Sequence, residues 1–265
     1  MHGFIPPERY IPYLTWPVVQ TLAGRGDAVL VQPIGAIEQH GPHLPLATDA
    51  AIATGVLGAA LSRLAPDVPV YALPPLYYGK SNEHVGFPGT IMLSAATLLA
   101  TLMEIGESVY SWGVRRLVLF NAHGGQPQVI DIAARDLRAR HRDFMTFPFF
   151  AWSAARGDDD LLTPRERAEG MHAGDAETSV LQALLGDYVL SERAVAEYPP
   201  ARSKCLTPEG ALPYAWLTAD LTRSGVIGDP TTATAEKGRR WLELLGESWA
   251  EVFAELTRFE LPASG

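Results

Sequence analysis

Cysteine is almost missing from this chain of 265 residues: Cys205 stands alone, so no intrachain disulfide can form, and a protein of this size needs none. Positive charge is also short. Lys and Arg number 21 against 30 Asp and Glu, a formal charge of −9. That balance lacks the footprint of a nucleic-acid binder and disfavours an anionic membrane surface. No apolar run reaches the roughly 18 residues of a membrane span. The opening "MHGFIPPERYIPYL" has prolines where a secretory signal needs an apolar helix. These absences leave a soluble, cytoplasmic globular protein with no nucleic-acid or membrane partner. With 47% hydrophobic residues, it can bury a sizeable core.

Short apolar runs alternate with longer helical patterns. Strands are expected at 27–35, 68–76, 115–121 and 144–152. Helices are expected at 49–65, with Thr48 or Asp49 as cap, and at 94–113, 128–140, 176–185 and 234–256. Near-continuous apolar strands alternating with helices argue for a parallel sheet covered on both faces. No linker divides the chain, so one domain over 1–265 is expected.

Three polar clusters follow predicted strands, where open α/β sheets bind ligands. In "GAIEQHGPHLPLATDA", Glu38 and His40 lie two apart and point the same way in extended chain, with Asp49 at the start of the next helix. The prolines and glycines between them make a stiff loop, which suits ligands that must be fixed in place. "LFNAHGGQ" brings His123. "MHAGDAETS" brings His172, Asp175, Glu177 and Thr178. Taken alone, Asp175 would be a helix cap and Glu177 an acid at the positive end of a helix. His84 is read as a hydrogen-bonding residue and His43 as either a brace or a filler. Imidazole and carboxylate without thiolate suit zinc, manganese or iron(II). One bridging carboxylate, for which Asp49 is the candidate, allows two ions. A pair of ions can hold a hydroxide nucleophile and polarise a carbonyl, which implies hydrolysis of an amide or related C–N bond.

These residues resemble the creatininase family of creatinine amidohydrolases. The family pattern E-x-H-G-x-H-L-P-x-x-T-D is present from Glu38 to Asp49. "NAHGG" and "HAGDAETS" are similar to N-G-H-G-G and H-A-G-E-x-E-T-S, and "FPGT" and "GVIGDP" also look familial. The resemblance implies a three-layer α/β/α fold with a mostly parallel central sheet, two divalent ions (zinc with zinc, manganese or iron), a small-molecule amide substrate and a homo-oligomer, often a hexamer. It implies that Glu38 and His123 bind one ion, His40 the other, and Asp49 both. His172 would be the acid/base and Ser81 a substrate contact.

Two departures stand out. Creatininases carry a ligating glutamate two residues after the second-cluster histidine, where this chain has Gly125. Glu177, or else Asp175, is the candidate replacement. The tryptophan and aspartate that hold creatinine are replaced by Ala168 and Glu169. That opens two alternatives known in the family: formamide deformylation and cleavage of a short peptide in peptide-cofactor maturation. A rival of another class is a metal-stabilised binding or assembly protein without turnover. A nucleotide-binding domain is disfavoured, because Glu and His stand where a phosphate loop wants glycine.

Overall fold

The computed structural model describes residues 2–157, 160–200, 203 and 205–261. Four strands, β1 (Val29–Ile34), β2 (Val70–Ala72), β3 (Arg116–Asn121) and β4 (Met145–Phe150), form one sheet in the order β2-β1-β3-β4. Every pairing is parallel. The helices are α1 (Trp16–Ala23), α2 (Thr48–Leu61), α3 (Ala95–Ser111), α4 (Pro127–Arg140), α5 (Pro164–Glu169), α6 (Asp175–Leu185), α7 (Thr218–Leu221) and α8 (Ala235–Leu256).

Strand alternation explains the layers. Successive side chains leave opposite faces of the sheet. Val29, Val31, Val118 and Phe120 join a core with Ile52 and Leu57 of α2, Leu181 of α6, and Trp241, Leu245 and Trp249 of α8. Leu30, Ile34, Leu117 and Leu119 join a second core with Leu98 and Leu102 of α3 and Ile130 and Leu137 of α4. Both faces are covered, giving α/β/α. Full burial of each such side chain contributes about 1.5–3 kcal/mol.

The expected second strand of nine residues shrinks to three. Pro74 and Pro75 follow it and cannot donate to a ladder, and the Gln32 amide instead donates to Pro74 O at 2.7 Å. Neither Thr48 nor Asp49 caps α2: the cap position is Ala47, while Thr48 Oγ1 donates to Pro45 O and Asp49 is turned elsewhere. The same helix ends at Leu61 rather than 65. Ser94 does cap α3, accepting from Thr97 N at 3.1 Å. Among the described residues no helix is long and apolar enough to cross a membrane.

Topology then places the site. The β1–α2–β2 unit builds to one side of β1, and α3 carries the chain back across to β3 on the other side. The strand order therefore reverses between β1 and β3, and a crevice opens outside their carboxyl ends.

Candidate metal centre

The chain leaving β1 lies directly against the first turn of α2. A Cβ at Gly35 would be 2.6 Å from the Ala50 Cα, so only glycine allows this approach. Glu38 and His40 are thereby brought to Asp49. His40 Nδ1 donates to the Glu38 carbonyl at 3.2 Å. That leaves Nε2 facing Asp49 Oδ1 at 3.3 Å, with Glu38 Oε1 at 3.9 Å and Glu177 Oε2 at 3.9 Å. Beyond β3, the turn at His123 is held by Asn121, whose Oδ1 accepts from His123 N and whose Nδ2 donates to His123 O. His123 Nδ1 lies 3.2 Å from Asp49 Oδ2 and 3.3 Å from Glu38 Oε2.

The third cluster arrives with α6. His172 pairs with Ile227 through both backbone groups. Its Nε2 donates to Gln39 O at 2.8 Å, which turns Nδ1 inward, 3.9 Å from Glu38 Oε1. Ala173 adopts φ +54°, a left-handed conformation rare for a residue with a Cβ, and its N–H donates to Glu177 Oε2 at 2.6 Å. Glu166 anchors the start of α6 by accepting from Asp175 N and Asp229 N, each at 2.8 Å, and from the Tyr198 hydroxyl. His43 meets Thr178 Oγ1 at 2.8 Å. It is therefore a brace between the first loop and α6, and burial together with the nearby His40 lowers its pKa to about 4.

Asp175 and Glu177 part company. The Asp175 side chain accepts from Ser179 Oγ at 2.8 Å and from Lys237 Nζ at 2.6 Å, away from the cluster. Glu177 faces it. Ser81 is fully buried, with Oγ 3.4 Å from His123 Nε2. The cavity wall beside it is made by Lys80 and Asn82.

The electrostatics are those of a crowded, buried site. Burial opposes the charge on Glu38, but His123, His84 and His40 hold its carboxyl well below the usual range. Burial likewise opposes protonation of His40, yet Asp49, Glu177 and Glu38 push it up to about 9. His123 is also raised by its carboxylate neighbours against burial. Burial, with His40 and His84 close by, pushes His172 well down. Glu177 is driven up to about 7 by burial and by Asp49, despite His40.

Both Glu38 oxygens, His40 Nε2 and Asp49 Oδ2 are buried without a hydrogen bond of proper geometry. Each such orphan costs about 1–3 kcal/mol, a cost that a cation among them would remove. Among the described residues, ligand atoms lie within 4.8 Å of one another in Glu38 with Glu83 and His123, and in His40 with Asp49 and Glu177. Glu38, His40 and His172 form a third such set. The donors are imidazole and carboxylate, as zinc, manganese and iron(II) sites use.

His84, read from the sequence as a hydrogen-bonding residue, meets Gln39 Nε2 and Thr218 Oγ1 through Nδ1, at 2.8 and 2.9 Å. It also reaches the centre: its Nε2 sits 3.2 Å from Glu38 Oε1, and its ring is 4.4 Å from that of His172. Other site residues escaped the sequence reading. Glu83 lies 3.1 Å from His123 Nε2. The adjacent pair of titratable residues in "SNEH" was the available signal. Over the cluster lies a cavity of about 700 Å³, whose walls include Trp152, Glu209, Tyr214 and Trp216. Trp216 donates to Pro208 O at 3.1 Å. Trp152 stands just past β4, while nothing local marks Glu209, Tyr214 and Trp216, which a distant loop carries over the crevice.

Comparisons with known proteins agree with this geometry. Residues 12–253 match the Creatininase family, described as creatinine amidohydrolase. The mycofactocin precursor peptide peptidase of Mycobacterium ulcerans (strain Agy99) is 41% identical over 224 residues, covering 78% of this chain and 77% of that one. The creatinine amidohydrolase of Pseudomonas putida is 32% identical over 265 residues, covering 93% and 96%. A solved creatininase described as a Mn form superposes with a TM-score of 0.78 at 29% identity, covering 93% of this chain and 98% of that one; another creatininase is of a Zn–Zn type. The chain belongs to the creatininase family of amidohydrolases.

Proposed function

We propose that this chain is a binuclear-metal amidohydrolase whose substrate is a short peptide. One observation carries the metal reading: Asp49 offers Oδ1 to His40 and Oδ2 to His123, at 3.3 and 3.2 Å, the arrangement of a carboxylate shared by two ions. Glu38 and His123 would hold one ion and His40 and Glu177 the other, Glu177 standing in for the acid absent at Gly125. The pair would be zinc with zinc, manganese or iron. Two bound cations supply Lewis acidity to the scissile carbonyl and lower the pKa of water toward neutrality.

The chain's own groups do the rest. His172 faces the cavity through Nδ1, and its low proton affinity makes it a ready donor once charged. It takes a proton from the water that adds to the carbonyl and delivers it to the leaving nitrogen as the C–N bond breaks. Gln39 O fixes its tautomer, and the Ile227 pairing fixes its ring. Glu38, beside His172 Nδ1, stabilises the imidazolium that forms in between.

The peptide assignment rests on three supports. The relative at 41% identity is named a precursor peptide peptidase. The pair that holds creatinine in creatininases is absent: Ala168 replaces the tryptophan, and Glu169 is at the surface, bonded to Arg165 at 3.0 Å. A cavity of about 700 Å³ falls in the range that takes drug-sized ligands, with aromatic walls rather than a tight ring-shaped slot. Creatinine is the second reading, favoured by the end-to-end match to the Pseudomonas putida enzyme. A homo-oligomer belongs to this proposal too, and exposed Trp16 and Tyr13 on the N-terminal segment offer apolar contact surface.

The test is hydrolysis by chelated protein reloaded with zinc or manganese, on a mycofactocin-type precursor peptide, a formamidopyrimidine and creatinine, read by mass spectrometry. Metal-dependent cleavage of the peptide is expected. Preference for creatinine or the formamide replaces the substrate assignment, and two bound ions with no turnover on any of the three replaces the enzyme reading.

A further inference from the structure

Glu83 has no part in the reaction described so far, yet it is buried, 9% exposed, in the wall of the same cavity as Glu38, Asp49 and His123. It sits in the single 3-10 turn Asn82–His84 after β2. Its Oε1 lies 3.1 Å from His123 Nε2, and its Oε2 accepts from Lys80 Nζ at 3.1 Å. Lys80 Nζ donates also to Gly125 O at 2.9 Å. The opposite ring nitrogen of His123 is the one that faces Glu38 and Asp49. A neutral imidazole carries its proton on one nitrogen and its lone pair on the other. Around Nε2 stand three oxygens: Lys80 O at 3.0 Å and Ser81 Oγ at 3.4 Å in hydrogen-bonding geometry, and Glu83 Oε1 at 3.1 Å, which is buried with no hydrogen-bond partner of its own.

Gly125 gives the same picture from the β3 side. A Cβ built there would lie 1.5 Å from Glu83 Oε1, 2.5 Å from its Cδ and 2.6 Å from His123 Nε2. The backbone at 125 is not left-handed. What this position supplies is space, and the Glu83 carboxylate fills it.

We propose that Glu83 is the positioning residue for His123. Its negative charge stands against the Nε2–H, beside the Lys80 carbonyl that accepts it, so the proton is held on Nε2 and the lone pair of Nδ1 is aimed at Glu38 and Asp49. Lys80 holds the carboxylate in place, and Gly125 makes room for it. Carboxylates behind ligating histidines set both tautomer and basicity, and their loss costs 10–100-fold in metal affinity. The inference rests on the binuclear reading. A competing role, Glu83 as a direct ligand through the set Glu38, Glu83 and His123, requires the ion on the Nε2 side of the ring, away from Asp49.

The experiment titrates chelated protein with Zn²⁺ and follows both binding steps by calorimetry, in wild type, Glu83→Ala and Glu83→Gln. Glu83→Ala should weaken one of the two ions 10–100-fold and leave the other unchanged. Glu83→Gln, whose amide oxygen can stand in the same place against the N–H, should recover most of that loss. Unchanged binding in Glu83→Ala, equal weakening of both ions, or a Gln variant no better than Ala overturns the proposal. A wild type that binds no Zn²⁺ overturns the binuclear reading itself, and this inference with it. A measurement on the wild type needs no variant to fold: ¹⁵N NMR of the Zn²⁺-loaded protein should show His123 protonated at Nε2. Protonation at Nδ1 overturns the assignment and favours direct ligation.

Discussion

Asp175 and Glu177, both on the first turn of α6, point their carboxylates into different environments: Asp175 bonds Lys237 Nζ at 2.6 Å, while Glu177 Oε2 stands 3.9 Å from His40 Nε2. The two acids therefore separate by experiment. Glu177→Gln should reduce metal content toward one ion per chain with little change in the melting temperature of the chelated protein. Asp175→Asn should keep both ions and lose about 2 kcal/mol of stability, the scale of a charge-assisted hydrogen bond in a buried setting. Elemental analysis and thermal unfolding read the two effects.

His172→Ala should retain metal and lose turnover by roughly 10²–10⁴, the usual contribution of general acid–base catalysis. His123→Ala should lose metal and activity together. Full activity in the His172 variant removes that residue from the reaction.

Metal binding should release protons, and weaken as pH falls. With burial opposing, the carboxylates around His40 raise it to about 9, so at pH 7 the metal-free protein carries a proton that an ion must displace. Calorimetry at pH 7 in two buffers of different ionisation enthalpy reads that release directly. The chelated protein gives the converse. His40 has an unfolded value of about 6.5, so its contribution to stability is complete below that pH. The contribution declines as pH rises and is gone above about 9. Melting temperatures of chelated protein across this window should fall, and those of the loaded protein should not.

Ala173→Val should destabilise by about 2 kcal/mol or more, because a β-branched residue at φ +54° is strained. It should also reduce turnover, since the strained peptide joins His172 to the N–H that holds Glu177. Thermal unfolding with kcat on the same sample tests both.

Much of this arrangement was legible in the amino-acid order. β1 and β3 announce themselves because strands buried on both faces are mostly apolar. Glu38, His40, Asp49, His123, His172 and Glu177 stand beside those strands or at helix starts, so local pattern and family motif reach them. β2 was overestimated because "VPVYALPPL" is apolar enough for a strand, while its prolines end pairing after Ala72. Glu83 and His84 reach the centre only through the path of the loop after β2, and Trp216 only through a segment more than forty residues beyond His172. No periodicity encodes such long-range approaches. The choice between Asp175 and Glu177 needed Lys237, sixty residues away on α8, which claims the former.

The walls that carry Glu209, Tyr214 and Trp216 come from a stretch of chain that supplies none of the residues proposed to hold the ions. Catalyst and gatekeeper are thus separate modules: one is welded to the β1–β3 seam, and the other is draped across it. Grafting that draped stretch between relatives is a route to new selectivity that leaves the hydrolytic machinery untouched.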